Sequence, residues 1–249
     1  MVDKVVLITG SARGIGAATA QLFARQGYAV CINYKTNAEA AERVATAIHS
    51  QGGRCISVPA DVSREQDVMR LFSTMDRELG TLSVLVNNAG ILRTQCRLEG
   101  LSEERINTVL INNVTSCFLC SREAVKRMST KNGGAGGTIV NVSSIAAKYG
   151  SPNEYLDYAA SKGAMDSFTK GLSLEVADEG IRVNGVRPGH VYTDIHADGG
   201  EPGRVDRLSG KIPLKRGGRP EEIAEAIYWL ASEKSSFATG TVIDVAGGL

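Results

Sequence analysis

Tyr158 and Lys162 stand four residues apart in the run Tyr158-Ala159-Ala160-Ser161-Lys162. On a helix that spacing puts a phenol and an ammonium on one face, one turn apart. A phenol with a pKa of about 10 is a poor proton donor at neutrality until a neighbouring cation stabilises its phenolate. Held together, the two side chains can serve as a general acid/base. Taken alone, the pattern better describes a lysine snorkelling beside a surface tyrosine, so its meaning depends on what accompanies it.

A second constellation lies near the N-terminus. Thr9-Gly10-Ser11-Ala12-Arg13-Gly14-Ile15-Gly16 follows an apolar run, Val5-Val6-Leu7-Ile8, and opens a segment rich in alanine. Glycines allow a tight turn and close approach of backbone to a pyrophosphate, and the free N–H groups of a helix N-terminus attract that anion. The spacing is G-x-x-x-G-x-G, and its place after the first strand of an alternating series marks it as a dinucleotide site rather than an ordinary turn. NAD-binding units carry an acidic residue at the end of the second strand for the ribose 2′-hydroxyl. Here that stretch is Asn33-Tyr34-Lys35-Thr36, with no carboxylate. Lys35, together with Arg13 in the loop, offers two cations to a 2′-phosphate, and NADP(H) is expected in preference to NAD(H).

The elements that must hold these groups read as short β-branched runs alternating with helical patterns. Strands are expected at 4–9, 28–33, 54–60, 83–87, 138–143, 181–187 and 241–245. Helices are expected at 16–26, 38–51 and 63–79, the last with Ser63 as N-cap and Gln66 completing a capping box. Most strands are continuous apolar runs, as in a parallel sheet covered on both faces. The expectation is one α/β domain over residues 1–249, a doubly wound fold with a seven-stranded parallel sheet. Ile8, Val86, Phe118, Leu172 and Trp229 read as core. Two stretches break the rhythm: the Gly-rich turn 132–137, and residues 192–218, rich in Gly, Pro and charge, a candidate substrate lid.

Lys and Arg number 28 against 27 Asp and Glu, so no net field recruits nucleic acid or an anionic membrane, and a small-molecule partner is favoured. No apolar run approaches the roughly 20 residues of a membrane span and no cleavable signal pattern opens the chain, so a cytoplasmic protein is expected. The cysteines Cys31, Cys55, Cys96, Cys117 and Cys120 read as reduced, buried thiols, and Cys117-x-x-Cys120 has no second pair or nearby histidine to make a zinc or redox site. His49, His190 and His196 lack metal-ligand spacing, and no metal is expected.

With these motifs in order, the chain resembles the short-chain dehydrogenase/reductase family, classical type, throughout its length. Thr9 to Gly16 is similar to that family's T-G-x-x-x-G-I-G loop, Asn87-Asn88-Ala89-Gly90 to its N-N-A-G, and Pro188-Gly189 to its P-G after the sixth strand. The resemblance implies that Gly10, Arg13, Gly14, Ile15 and Gly16 bind cofactor phosphates. It implies Tyr34 and Lys35 at the second strand end, Asp61 and Val62 beside the adenine, Asn88 and Gly90 at the ribose, and Pro188, Gly189, Val191 and Thr193 at the nicotinamide end.

The family's catalytic set falls on Asn113, Ser144, Tyr158 and Lys162. Ser144 would hydrogen-bond the substrate oxygen and Tyr158 exchange its proton. Lys162 would lower the tyrosine pKa and bond the nicotinamide ribose, and Asn113 would hold a water that relays protons. Asn112, Ser143 and Tyr155 are near neighbours of three of these; only Tyr158 has a lysine four residues on, and Ser143 still reads as strand where Ser144 opens the loop. Glu154, Tyr155, His190, Tyr192 and His196 are candidates to face substrate, and Arg187 reads as structural. A homotetramer follows from the resemblance, as does a carbonyl/alcohol substrate, with the glucose-dehydrogenase-like and 3-oxoacyl-carrier-protein-reductase-like branches nearest. A different class of reading is a nicotinamide-nucleotide-sensing protein without turnover, against which the intact Asn, Ser, Tyr and Lys argue.

Overall fold

The computed structural model describes residues 4–249. Seven strands, β1 (Val5–Ile8), β2 (Ala29–Tyr34), β3 (Cys55–Pro59), β4 (Leu82–Asn87), β5 (Gly137–Val142), β6 (Ile181–Pro188) and β7 (Val242–Val245), form one sheet in the order β3-β2-β1-β4-β5-β6-β7. Every strand pair is parallel. The expected strands are all present, with no end shifted by more than one residue. The order reverses between β1 and β4, which opens a crevice beyond their carboxyl ends, where a doubly wound sheet binds its ligand.

The helices are α1 (Gly14–Arg25), α2 (Ala38–His49), α3 (Glu65–Glu78), α4 (Glu103–Leu110), α5 (Ser116–Met128), α6 (Ala146–Tyr149), α7 (Leu156–Glu175), α8 (Ile195–Asp198), α9 (Arg204–Ser209) and α10 (Pro220–Ala231). The strand pleat sends alternate residues to opposite faces. Val6 and Ile8 join one apolar cluster with Phe23, Ile48 and Ile227, while Val5 and Leu7 join another with Phe72, Met75 and Met128. Both sheet faces are thus covered, which is why the strands carry unbroken apolar runs.

Three expectations need correction. Ser63 does not cap α3: its hydroxyl and backbone N–H both donate to Asp61 Oδ1, at 2.6 and 3.1 Å, and this local turn delays the helix to Glu65 behind an Arg64 that makes no side-chain cap. Phe118 and Trp229 are not core, being 50% and 42% exposed. The buried stripe of α5 runs through Cys117, Cys120, Ser121, Ala124 and Met128, and that of α10 through Ile223, Ala224, Ile227 and Leu230, so both aromatics fall outside the inward face. Cys96 is only half-buried, in an irregular loop, whereas the other four cysteines are buried.

Candidate active site

The glycine loop between β1 and α1 is shaped by its own backbone and by Asn33. Gly10 and Gly14 have φ of +62° and +54°, in the left-handed region that side chains disfavour. A Cβ at Gly16 would lie 2.6 Å from Asn88 Nδ2 and 2.7 Å from the Gly10 carbonyl, so only glycine lets the loop close on α1. Asn33 is buried at the end of β2; its Oδ1 accepts from Gly10 N at 3.1 Å and its Nδ2 donates to the Ala60 carbonyl at 3.1 Å. Asn88 Nδ2 donates to the Thr9 and Gly10 carbonyls at 2.9 and 3.1 Å. The ends of β1, β2, β3 and β4 are therefore stitched together around the start of α1.

Both cations expected to hold a 2′-phosphate are near this loop and half-exposed, each with an acidic partner. Lys35 Nζ lies 2.8 Å from Asp61 Oδ2, and Arg13 pairs with Asp198 of α8. Burial alone would raise the Asp61 carboxyl, but its bonds to Lys35 and Ser63 hold it below the usual carboxylate range.

A cleft of about 860 Å³ runs from this loop to the N-terminal turns of α7. That size suits a dinucleotide with a small substrate beside it. The expected site residues line it except Gly16 and Asn113, which lie behind its wall. At its far end the first turn of α7 holds Asp157, which is buried, pairs with Arg105 at 2.8 Å and accepts at its Oδ1 from the Tyr158 backbone N–H at 2.9 Å, fixing that turn.

Tyr158 and Ser144 line the same end of the cleft, and burial pushes the Tyr158 phenol up to about 12, an effect that the neighbouring Ser144 side chain only partly offsets. Lys162 Nζ sits 5.6 Å from the centre of the Tyr158 ring, donates to the Val142 carbonyl at 2.7 Å, and is pushed down to about 8 by burial. Ser143 turns its hydroxyl the other way, to the Lys162 carbonyl at 3.1 Å, which separates its role from that of Ser144. Tyr155 is buried under the Arg204 guanidinium, 4.9 Å from its ring centre, and does not compete with Tyr158.

Asn113 occupies a π-helical turn, Ile111–Thr115, between α4 and α5, a local widening common at functional sites. Its amide accepts from Ile91 N at 2.7 Å and donates to the Ile91 carbonyl and Ser161 Oγ at 3.1 and 3.0 Å. Both amide hydrogens are spent, so Asn113 clamps the loop after β4 against α7 and keeps one lone pair on Oδ1. Asn112 instead donates to the Thr108 carbonyl at 2.8 Å.

Of the residues expected to face substrate, Glu154, Tyr155, His190 and His196 line the cleft, and burial, with help from Arg204, drives His190 down to about 4 and so keeps it neutral. Tyr192 does not line it: half-exposed, it donates to Asp206 Oδ1 at 2.8 Å. Sequence reasoning missed Asn33 as the organiser of the loop, and Arg204, a buried cation that pairs with Glu154 and with Glu201 at 3.3 Å. Arg204 comes from a stretch without periodicity, where no local signal separates it from Arg207 or Arg216.

The family model described as enoyl-(acyl carrier protein) reductase matches residues 10–249. The chain is 59% identical over 244 residues to an uncharacterized oxidoreductase, YgfF, of Escherichia coli K12, covering 98% of this chain and 99% of that protein. It is 35% identical over 249 residues to glucose 1-dehydrogenase 2 of Bacillus subtilis, covering 100% of this chain and 95% of the other. A crystal structure of a short-chain type dehydrogenase/reductase from Mycobacterium marinum superposes with a TM-score of 0.91 at 33% identity, covering 99% of this chain and 96% of that one. The doubly wound sheet, the glycine loop at its switch point and the extent of these matches lead to one conclusion: the chain belongs to the short-chain dehydrogenase/reductase family, classical type, and is an oxidoreductase of that family.

Proposed function

We propose that the protein is an NADP(H)-dependent reductase or dehydrogenase that interconverts a small carbonyl compound and its secondary alcohol, a sugar or 3-oxoacyl-type substrate being the nearest classes. The observation that carries this reading is the grouping of Ser144, Tyr158 and Lys162, with Lys162 Nζ 5.6 Å from the Tyr158 ring centre, at the end of the cleft that starts at the glycine loop. Family membership implies a nicotinamide cofactor, and the cradle fits one: the first N–H groups of α1 would hold its phosphates, with Lys35 and Arg13 the cations at the second strand end. Bound there, the nicotinamide supplies or receives a hydride at the substrate carbon.

The chain's own groups do the rest. Ser144 positions the substrate oxygen, and Tyr158, kept protonated by burial, holds the proton that a reduced carbonyl oxygen must gain. Lys162 lends positive charge to the phenolate left behind, and Asn113 keeps the loop after β4 in register, with its remaining lone pair available to a relaying water. Residues 192–218 act as the lid, fastened to the substrate end through Arg204, Glu201 and Glu154 and to the cofactor end through Asp198. Homotetramer assembly and a cytoplasmic location complete the proposal; no helix of the described residues is long and apolar enough to cross a membrane. Following NADPH and NADH absorbance with a panel of ketones, aldehydes, sugar lactones and 3-oxoacyl thioesters tests it. Turnover with NADPH on at least one class is expected, and absence of binding by either nucleotide overturns it.

A further inference from the structure

Lys162 is a charged side chain only 3% exposed, and its contacts are uncharged: the Val142 carbonyl at 2.7 Å and Met165 Sδ at 3.5 Å. Facing it are the Tyr158 ring on its own helix, the Cys117 thiol from α5, pushed up to about 12 by burial, and Asn113 across Gly90 from the π turn. A buried ammonium without a counter-charge loses its proton more readily than an exposed one. Among the described residues the carboxylate whose field reaches it is Asp166, four residues further along α7 and on the same face.

Asp166 is bound asymmetrically. Its Oδ2 accepts from Arg187 Nε at 2.8 Å, while its Oδ1 is buried and has no hydrogen-bond partner. An unpaired buried carboxylate oxygen costs stability, so its persistence calls for a compensating role. Arg187, on β6, also reaches Asp244 Oδ1 at 3.0 Å, and Asp244 Oδ2 takes Lys148 at 2.7 Å, on the helix that follows Ser144. The four charges of this chain sum to zero and anchor Asp166 from β6, β7 and α6. Arg187 divides its charge between Asp166 and Asp244, and it engages only Oδ2 of Asp166, so the field of the unbonded Oδ1 still acts on Lys162 one turn earlier on the same helix.

We propose that Asp166 is a positioning residue of the reaction, its unpaired oxygen serving as the buried counter-charge that keeps Lys162 protonated beneath Tyr158. The inference rests on the reading of Tyr158 and Lys162 as the acid/base pair, and it makes Asp166 part of that device without contact to substrate. Lys162 holds its proton only to about pH 8. Removing the negative charge lowers that limit further, toward the working pH, so the loss is seen on the alkaline side.

The test compares the parent enzyme with Asp166→Asn, Asp166→Glu and Asp244→Asn. In Asp166→Asn the alkaline limb of the kcat profile should move to lower pH by about half a unit or more, with kcat at pH 6 the least affected. Asp166→Glu should restore the limb in part, and Asp244→Asn, which breaks the same chain beyond Arg187, should leave it in place. The Lys162 ionisation is followed separately by carbon-13 NMR of protein labelled at lysine Cε, assigned with Lys162→Arg, which needs no substrate. A Lys162 titration that moves down in Asp166→Asn supports the inference even if no carbonyl is turned over, an outcome that would defeat only the acid/base reading. A titration and limb that stay put, or an equal loss at every pH shared by Asp166→Asn and Asp244→Asn, would overturn it.

Discussion

At the scale of single residues, the account rests on charges placed where burial tunes them. Lys162 is pushed down to about 8 and Tyr158 up to about 12, so between those values the phenol keeps its proton while the lysine loses its charge. Reduction needs both protonated; kcat for carbonyl reduction should therefore be level below pH 8 and fall above it, as a pH-rate profile at saturating substrate will record. The cofactor cations behave differently because they are exposed and already paired. A 2′-phosphate brings two negative charges' worth of competition for Lys35 against Asp61, and Lys35→Ala should raise the Kd for NADPH about tenfold while changing that for NADH less than about twofold, measured by fluorescence titration. Tyr158 and Lys162 were singled out in the sequence by a local four-residue spacing, whereas Ser144 came from the family resemblance, its place just past a strand deciding it over Ser143. Asn33 was read only as a missing carboxylate, since the side-chain bonds that reveal its role, to Gly10, Val58 and Ala60, join positions distant in sequence.

At the scale of elements, hydrophobic pattern gave every strand and placed the glycine loop correctly between β1 and α1. The start of α3 was misread because Asp61, two residues before Ser63, takes the hydroxyl that a cap would have used. Residues 192–218 showed only their irregularity; that they form α8 and α9, and bring Arg204 into the cleft, depends on contacts with Glu154 and Tyr155 some 50 residues earlier. Arg204 holds the Glu154 carboxyl below its usual range, so removing it leaves a partly buried carboxylate without its main partner. Arg204→Ala should raise KM for the carbonyl substrate at least about fivefold while the cofactor Kd changes less than about twofold, the split expected of a lid that closes on substrate. Steady-state kinetics with an independent binding titration measures both.

At the scale of the whole molecule, the parallel order β3-β2-β1-β4-β5-β6-β7 puts the glycine loop, Ser144 and the Pro188-Gly189 turn at one end of the sheet, so one cleft receives contributions from the entire chain. Aromatic residues outside the inward stripes were misassigned to the core because periodicity marks an apolar face without saying what covers it. Phe118, half-exposed, packs against Phe168 of α7, their ring centroids 4.1 Å apart and their planes tilted by 42°. We propose this pair as part of the assembly surface of the proposed homotetramer. In the proposed homotetramer, Phe118→Glu should shift the mass found by light scattering toward smaller species. The central claim, that Tyr158 exchanges the proton while hydride passes to the carbonyl, is tested most directly by single-turnover reduction with NADPH in the parent and in Tyr158→Phe. The account predicts unchanged NADPH affinity and a rate at least about 100-fold lower in the variant; a variant that reduces the carbonyl as fast as the parent would contradict it.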